Sequence, residues 1–470
     1  MMRGHLHHAS PEAHGLDSLL ILRALTALED QGLDPHGFAI VRHGRVLASG
    51  SWAPWTAEQA GQVYSVSKTF TSVAIGHLVA EGRLAVTDTV DTHLDIPNPA
   101  GITVGHLLSM STGHTDEQLA QMGPPYETAT VLSTPPIHQP GTHFAYSSPS
   151  SYVLSHLVTA ITGQRLTDYL RPRILDPLGI PDRWWTPQGP LDQGYSGLHI
   201  TLDDLTRLGV ALTARGSFDG EQAIPADWVD ALALPMVDNS QQNQEAPDWA
   251  CGYGRQVWMS QHGFRADGAY GQFCLVIPEL DMAIAYLGAT TNTQATLDVW
   301  WRLVESVSDV ALHRNPAAEV ELSARLDGLD SWRESIEVDA NAPAGDPAPR
   351  PWRLAARPGG WDLTLGPLTI DVPEGKWLHQ VCDVALDDYH QQPGRTDSGR
   401  LVLAARGATV DDGVEIHLVV PSSPHRLVVR SVAGELTAAW HTVPLWRPDL
   451  TSLAVPSFVV ADSDTSPLPE

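Results

Sequence analysis

Ser65 and Lys68, three residues apart in Val63-Tyr64-Ser65-Val66-Ser67-Lys68-Thr69, have the clearest capacity for chemistry in this chain. The apolar positions that follow, Val73, Ile75, Leu78 and Val79, recur with helical spacing up to Glu81-Gly82, so the pair opens a helix and shares one of its faces. A serine hydroxyl becomes a competent nucleophile only when a base takes its proton, and a partly desolvated lysine can be that base. A helix start also presents unpaired backbone N–H groups, which can face the oxyanion of a tetrahedral intermediate. The chain has two lysines, Lys68 and Lys376, among 28 basic residues. Keeping lysine here, in a sequence that otherwise uses arginine, points to a role that requires losing a proton. The competing reading is a surface lysine on an amphipathic helix.

Such a nucleophile needs a second proton carrier and a second oxyanion donor. Tyr146-Ser147-Ser148 offers the carrier. Tyr146 can relay a proton if the cation of Lys68 lowers its pKa, although the motif alone reads more readily as a buried aromatic at a helix start. The donor is expected in Ala266-Asp267-Gly268-Ala269-Tyr270-Gly271-Gln272, read as opening a strand that ends at Ile277. Gly268 and Gly271 let a backbone approach a substrate, so the Ala269 N–H can pair with that of Ser65. A glycine-rich strand start without function is the alternative.

The elements that must position these groups are legible as periodicities. Leu16 to Asp30 reads as a helix, and Phe38–Arg42 with Arg45–Ala48 as a hairpin around His43-Gly44. Thr103 starts a short helix through Leu107 and Leu108, and a further helix runs from about Ser150 to Thr162. The stretch 124–140, rich in Pro, Thr and Ser, is expected as a long loop walling the cleft. Thr201 with Asp204 forms a helix start, and strands are expected over 253–259, 270–277 and 282–287 before a helix from about Ala295 to Val307. The pattern is α+β: an antiparallel sheet with a helical insertion. We expect a catalytic unit over 1–312, a linker over 313–350, and a small all-β barrel or sandwich over 351–470, from short alternating runs such as Val414–Val420. Its tryptophans, among them Trp361, Trp440 and Trp446, suit core packing better than ligand stacking.

Composition narrows the partners. With 28 basic and 55 acidic residues the formal charge is −27, which disfavours nucleic acid and anionic membrane surfaces. No apolar run reaches the length of a membrane span, and the His-rich start, with His5, His7 and His8, reads as a polar arm and not as an export signal or metal site. Cys251, Cys274 and Cys382 form no ligand or disulfide framework. We therefore expect a cytoplasmic protein with no metal and no cofactor.

In order and spacing these pieces resemble the serine β-lactamase and penicillin-binding-protein superfamily, nearest its class C-like hydrolases, family VIII-type esterases and D-aminopeptidase-like members. The resemblance covers residues 15 to 310, on Ser65-Val66-Ser67-Lys68, Leu107-Leu108-Ser109-Met110-Ser111-Thr112-Gly113-His114, Tyr146-Ser147-Ser148, Leu178-Gly179-Ile180 and Ala266-Asp267-Gly268. It implies a β-lactamase/transpeptidase-like fold, Ser65 as acylated nucleophile, Lys68 and Tyr146 as base and acid, and Ser65 with Ala269 as oxyanion donors. Two positions depart from the pattern. Ser148 stands where β-lactamases carry an asparagine, and Ala266, followed by Asp267, where they carry a cation for the antibiotic carboxylate. Only Arg265 can restore positive charge there. The expected substrate is thus a small neutral ester or amide. Acyl transfer, D-amino-acid peptidase action, and a silent binding protein of the same fold are the rivals.

Overall fold

The computed structural model describes residues 5–181, 183–240, 245–339, 346–386 and 398–457. Seven strands form the central sheet: β1 (His7–His8), β2 (Pro35–Arg42), β3 (Arg45–Ser51), β4 (Trp258–Met259), β5 (Phe264–Gly268), β6 (Gln272–Ile277) and β7 (Met282–Gly288). Their order is β1-β3-β2-β7-β6-β5-β4, so the two ends of the catalytic unit meet where β2 pairs with β7. The β2–β3 hairpin turns through His43 and Gly44, at φ 52° and 66°, the two left-handed residues that a two-residue hairpin with matching twist requires. Alternate side chains enter different layers: Phe38, Ile40 and Leu275 face one way, Ala39, Cys274 and Val276 the other. Helices α1 (Ser18–Asp30), α10 (Thr293–Val304) and α11 (Pro316–Asp327) cover the first face. The second face is covered by α8 (Leu202–Thr213), whose Leu205 and Leu208 meet it.

The insertion between β3 and β4 supplies α2 (Ser67–Ala80), α3 (Val104–Leu108), α4 (Asp116–Met122), α5 (Thr128–Ser133), α6 (Ser148–Thr162), α7 (Leu166–Leu170), α8 and α9 (Ala226–Leu232). Helix α2 is buried from Ser67 through Gly76 and packs against α6. A helix enclosed in this way has no solvent face, which removes the surface-lysine reading of Lys68. Helices α4 and α5 were not foreseen; they are short, capped or bounded by local turns, and too brief for a period to show.

Several expectations are corrected. The sheet is mixed, because His7-His8 pairs in parallel with Arg45-Val46 and the expected polar arm is its edge strand. The strand expected over 253–259 is reduced to Trp258–Met259: Gln256 is left-handed at φ 65°, and its buried amide donates to the Leu107 and Leu108 carbonyls and accepts from Ser151 Oγ at 2.5 Å. The stretch 313–350 contains α11, which packs on α1 and β3; residues 340–345 of the expected linker lie outside the described residues.

The remainder is all-β. Trp352–Arg357, Gly360–Leu365 and Leu368–Pro373 form a three-stranded antiparallel sheet. A second sheet runs as a meander through Leu378–Ala385, Ser398–Val410, Gly413–Val419, Arg426–Val432 and Glu435–Trp440, with Val455–Pro456 added beside Ser398–Val410. Their inner faces share one core, in which Leu363, Ile370, Leu403, Leu418 and Trp440 are buried.

This β unit is locked to the catalytic unit by buried charge. Arg426 Nη2 lies 3.0 Å from Asp34 Oδ1, with both side chains enclosed. Burial pushes the Asp34 carboxyl up, but Arg426, His36 and His441 outweigh it and hold the group far below the usual carboxylate range. Removing one partner strands a buried charge, which costs about 3–5 kcal/mol. Arg426→Met should therefore lose stability of that order in urea unfolding, whereas Asp346→Asn, at an exposed pair with Arg350, should change it by less than about 1 kcal/mol.

Candidate active site

The nucleophile turn is built from a strained residue. Tyr64 takes φ 46°, and Tyr64–Val66 forms a 3-10 turn that runs directly into α2. Non-glycine left-handed residues cost about 1–3 kcal/mol each and persist only where their surroundings fix them. Met110, Gln256 and Tyr270 share the conformation, and each touches an element of the same site. The turn leaves Ser65 partly exposed while Lys68, one helical turn on, is buried.

Lys68 Nζ is 2.8 Å from Ser65 Oγ, 2.8 Å from the Tyr195 carbonyl and 3.3 Å from Ser148 Oγ. Burial brings its pKa down to about 7, outweighing the opposing pull of the Asp267 charge. At neutral pH a large share of the amine is therefore uncharged. A neutral amine has two N–H donors and one lone pair, and three partners stand around it. The Tyr195 carbonyl can only accept, and Ser148 can accept the second N–H, which leaves the lone pair for the Ser65 proton. The contact is already at the distance for transfer.

Tyr146 immediately precedes Ser147, the N-cap of α6, whose hydroxyl accepts from the Ser150 amide. Its hydroxyl faces Ser65, its ring stacks on Trp258 at 5.4 Å, and Lys68 Nζ sits 4.9 Å from the ring centroid. The expectation that Lys68 would lower the Tyr146 pKa is corrected. Burial raises it well above the ordinary phenol value, and a lysine brought down to about 7 is no permanent cation to offset it. Tyr146 thus remains a phenol, able to donate and return a proton.

The Ala266–Gln272 segment is also corrected. Ala266, Asp267 and Gly268 end β5, and Ala269-Tyr270-Gly271 turns the chain into β6, with Tyr270 at φ 66° and Gly271 at φ 92°. Gly268 serves a different approach from the expected one: a Cβ there would lie 2.3 Å from the Val63 carbonyl oxygen. The missing side chain brings the end of β5 against the nucleophile turn, so Ser65 and Ala269 belong to touching segments.

Nor do Asp267 and Arg265 act as expected. Arg265 Nε is 2.8 Å from Asp267 Oδ2, and the guanidinium, fully buried, also donates to the Asp248 and Met259 carbonyls and to Ser260 Oγ. It cannot turn outward to hold a substrate carboxylate. Burial raises the Asp267 pKa, with Arg265 opposing. Beside Ala269 lies a cavity of about 570 Å³ whose lining includes Glu245, Trp249, Asp267, Tyr270 and Asn292. Among the described residues, none of those lining it is Lys, Arg or His.

Ser65, Lys68, Tyr146 and Ser148 thus come together, with Gly268 and Ala269 alongside. Sequence reasoning missed the Tyr195 carbonyl and Gln256, which ties α2, α3 and α6 together: besides its amide bonds, its carbonyl accepts from Thr69 Oγ1. Tyr195 lies in Asp192-Gln193-Gly194-Tyr195-Ser196-Gly197, whose glycines signal a tight turn but not a turn against the lysine. Among the described residues no cluster of His, Cys, Asp and Glu could hold a metal, and no helix is long and apolar enough to cross a membrane.

A family model described as Beta-lactamase matches residues 25–308. D-aminopeptidase of Brucella anthropi is 26% identical over 231 residues, 44% of this chain and 43% of that protein. Lovastatin esterase of Penicillium rubens is 25% identical over 217 residues, 37% and 54% of the two lengths. The chain thus spans about half the length of these curated relatives. Among solved structures, the octameric penicillin-binding protein homologue of Pyrococcus abyssi aligns with a TM-score of 0.50 at 14% identity, over 90% of this chain and 98% of that one. That likeness concerns the fold, and it extends through the β unit.

The contact at Gly268 gives a steric prediction. Gly268→Ala should cost about 1–3 kcal/mol in urea unfolding because backbone, not a flexible side chain, meets the new methyl. Gly328→Ala, where the nearest atom would lie at an ordinary 3.6 Å, should change stability by less than about 1 kcal/mol.

Proposed function

The chain belongs to the beta-lactamase family, and on that premise we propose that it is a serine hydrolase cleaving a small neutral ester or amide through an acyl-enzyme on Ser65. One observation carries the reading: a buried lysine, its pKa brought down to about 7, at 2.8 Å from the hydroxyl of the partly exposed Ser65. In the first step the Ser65 proton passes to the Lys68 lone pair as Oγ bonds the substrate carbonyl carbon. The carbonyl electrons move to oxygen, which the Ser65 and Ala269 amides receive. Collapse expels the alcohol or amine, which takes its proton from Lys68 by way of Tyr146. A water then adds to the acyl ester under the same groups, releasing the acid and restoring Ser65.

The cavity beside Ala269 supports the neutral substrate. With Glu245 in its lining, no basic side chain there and Arg265 committed to Asp267, an anionic group entering it would meet no partner. The same lining favours a second reading, an amidase whose substrate carries an amine, and one relative is a D-aminopeptidase. Rates on matched neutral and amine-bearing amides separate the two.

A fluorophosphonate should add one label to the wild type and none to Ser65→Ala, read by intact mass. An unlabelled, folded wild type would count against the proposal. Lys68→Arg should lose at least about 10³-fold in kcat, since an arginine keeps its proton. The pH profile follows from the sign of the Lys68 shift. The reactive form is the deprotonated one, so kcat/KM should fall as pH drops through about 7 and level off above it. A rate unchanged between pH 6 and 8 would rule out Lys68 as the base.

A further inference from the structure

The two amides assigned above to the oxyanion are flanked by matching residues. Tyr64 precedes Ser65 and Tyr270 follows Ala269, both left-handed where glycine would be the easier choice. Both side chains end on the β unit. The Tyr64 hydroxyl lies 2.5 Å from His425 Nε2, and the Tyr270 hydroxyl donates to the Val443 carbonyl at 2.5 Å. His425 Nδ1 is 2.9 Å from the Thr442 carbonyl, so that nitrogen carries the proton and Nε2 accepts from Tyr64. The two tyrosine rings meet edge-on at 5.8 Å, and the His425 ring stands 5.3 Å from Tyr270.

We propose that the β unit is a working part of the active site: His425 and the 442–445 loop hold Tyr64 and Tyr270 so that the Ser65 and Ala269 amides converge on one point. This rests on the oxyanion role given to those amides. Oxyanion donors act only when fixed within a fraction of an ångström. Each turn closes on a backbone bond of its own, from the Val66 N–H to the Val63 carbonyl at 3.1 Å and from the Gly271 N–H to the Gly268 carbonyl at 3.3 Å, but neither bond reaches the tyrosine side chain. Each pays a left-handed residue of about 1–3 kcal/mol and is held by a group far along the chain, 361 residues away for Tyr64 and 173 for Tyr270. Tyr64 and Tyr270 are on this view positioning residues. They touch no reacting atom and act through the amides beside them.

The test removes hydroxyls and leaves the rings. Tyr64→Phe and Tyr270→Phe should each lower kcat and the fluorophosphonate labelling rate by about five- to tenfold, with KM within twofold and Tm within a few degrees. His425→Ala should match Tyr64→Phe, and His425→Gln, which keeps an acceptor, should recover part of the loss. Wild-type labelling rates in both Phe variants would overturn the proposal while leaving the hydrolase reading intact. So would a loss that appears in KM alone, since displaced oxyanion donors act on the transition state. A wild type that takes no label at all removes the hydrolase reading itself, and with it this one.

Discussion

Desolvation of a single ammonium group governs this structure. A lysine in water would be protonated at pH 7 and useless as a base, and what changes that is the packing of α2 on all sides. On the proposed mechanism the burial of Lys68 is the functional content of a hydrophobic core, to which Phe70, Val73 and Leu154 belong. The polar atoms left in contact with Nζ are few. The Tyr195 carbonyl fixes the orientation of the amine, and Ser148, shorter than an amide side chain, reaches it at 3.3 Å without adding charge. A full carboxylate at hydrogen-bonding distance would have kept the lysine protonated. Asp267 is instead tied back by Arg265, which limits its influence to a weaker pull.

The same economy of charge extends across the cleft. Arg265 is enclosed by its own strand neighbours and by the rings of Trp249 and Trp258, at 4.4 and 5.9 Å from its guanidinium carbon. Family members that act on antibiotics are expected to place a cation where Ala266 stands. Here the cation is one residue earlier and on the opposite face of β5, because successive strand residues point to opposite sides. A shift of one position thus converts a candidate substrate contact into an internal support.

The Ser65–Lys68 pair, Tyr146 before a helix start and the general α+β plan were legible in the sequence because each depends on local spacing: three residues on a helix, alternation on a strand, a cap before a helix. The all-β character of the C-terminal region was legible for the same reason, although Leu368–Pro373 and Leu378–Ala385 went unread. What was not legible depends on contacts between distant segments. Tyr270 carries a side chain that favours extended backbone, so the turn at 269–271 was read as strand; it is stabilised by a partner 173 residues away. Gln256 breaks the expected strand because three helices supply its hydrogen bonds, and α11 hides in a stretch whose composition alone suggests a linker. The Tyr146 pKa was read with the wrong sign because burial, the largest influence on it, cannot be seen in a motif.

The ion pair between Asp34 and Arg426 has a consequence for how the molecule comes into being. The two residues are 392 positions apart. On a ribosome adding roughly 5–20 residues per second, the carboxylate leaves the exit tunnel on the order of 20–80 s before its counterion exists. During that interval the residue that leads into strand β2 is an anion destined for burial, and the turn carrying Ser65 waits without the histidine that Tyr64 will meet. The part of the chain that holds Ser65, Lys68 and Tyr146 is therefore synthesised first and completed last, and a nascent chain that stops short of the β unit still lacks the partners of Asp34, Tyr64 and Tyr270.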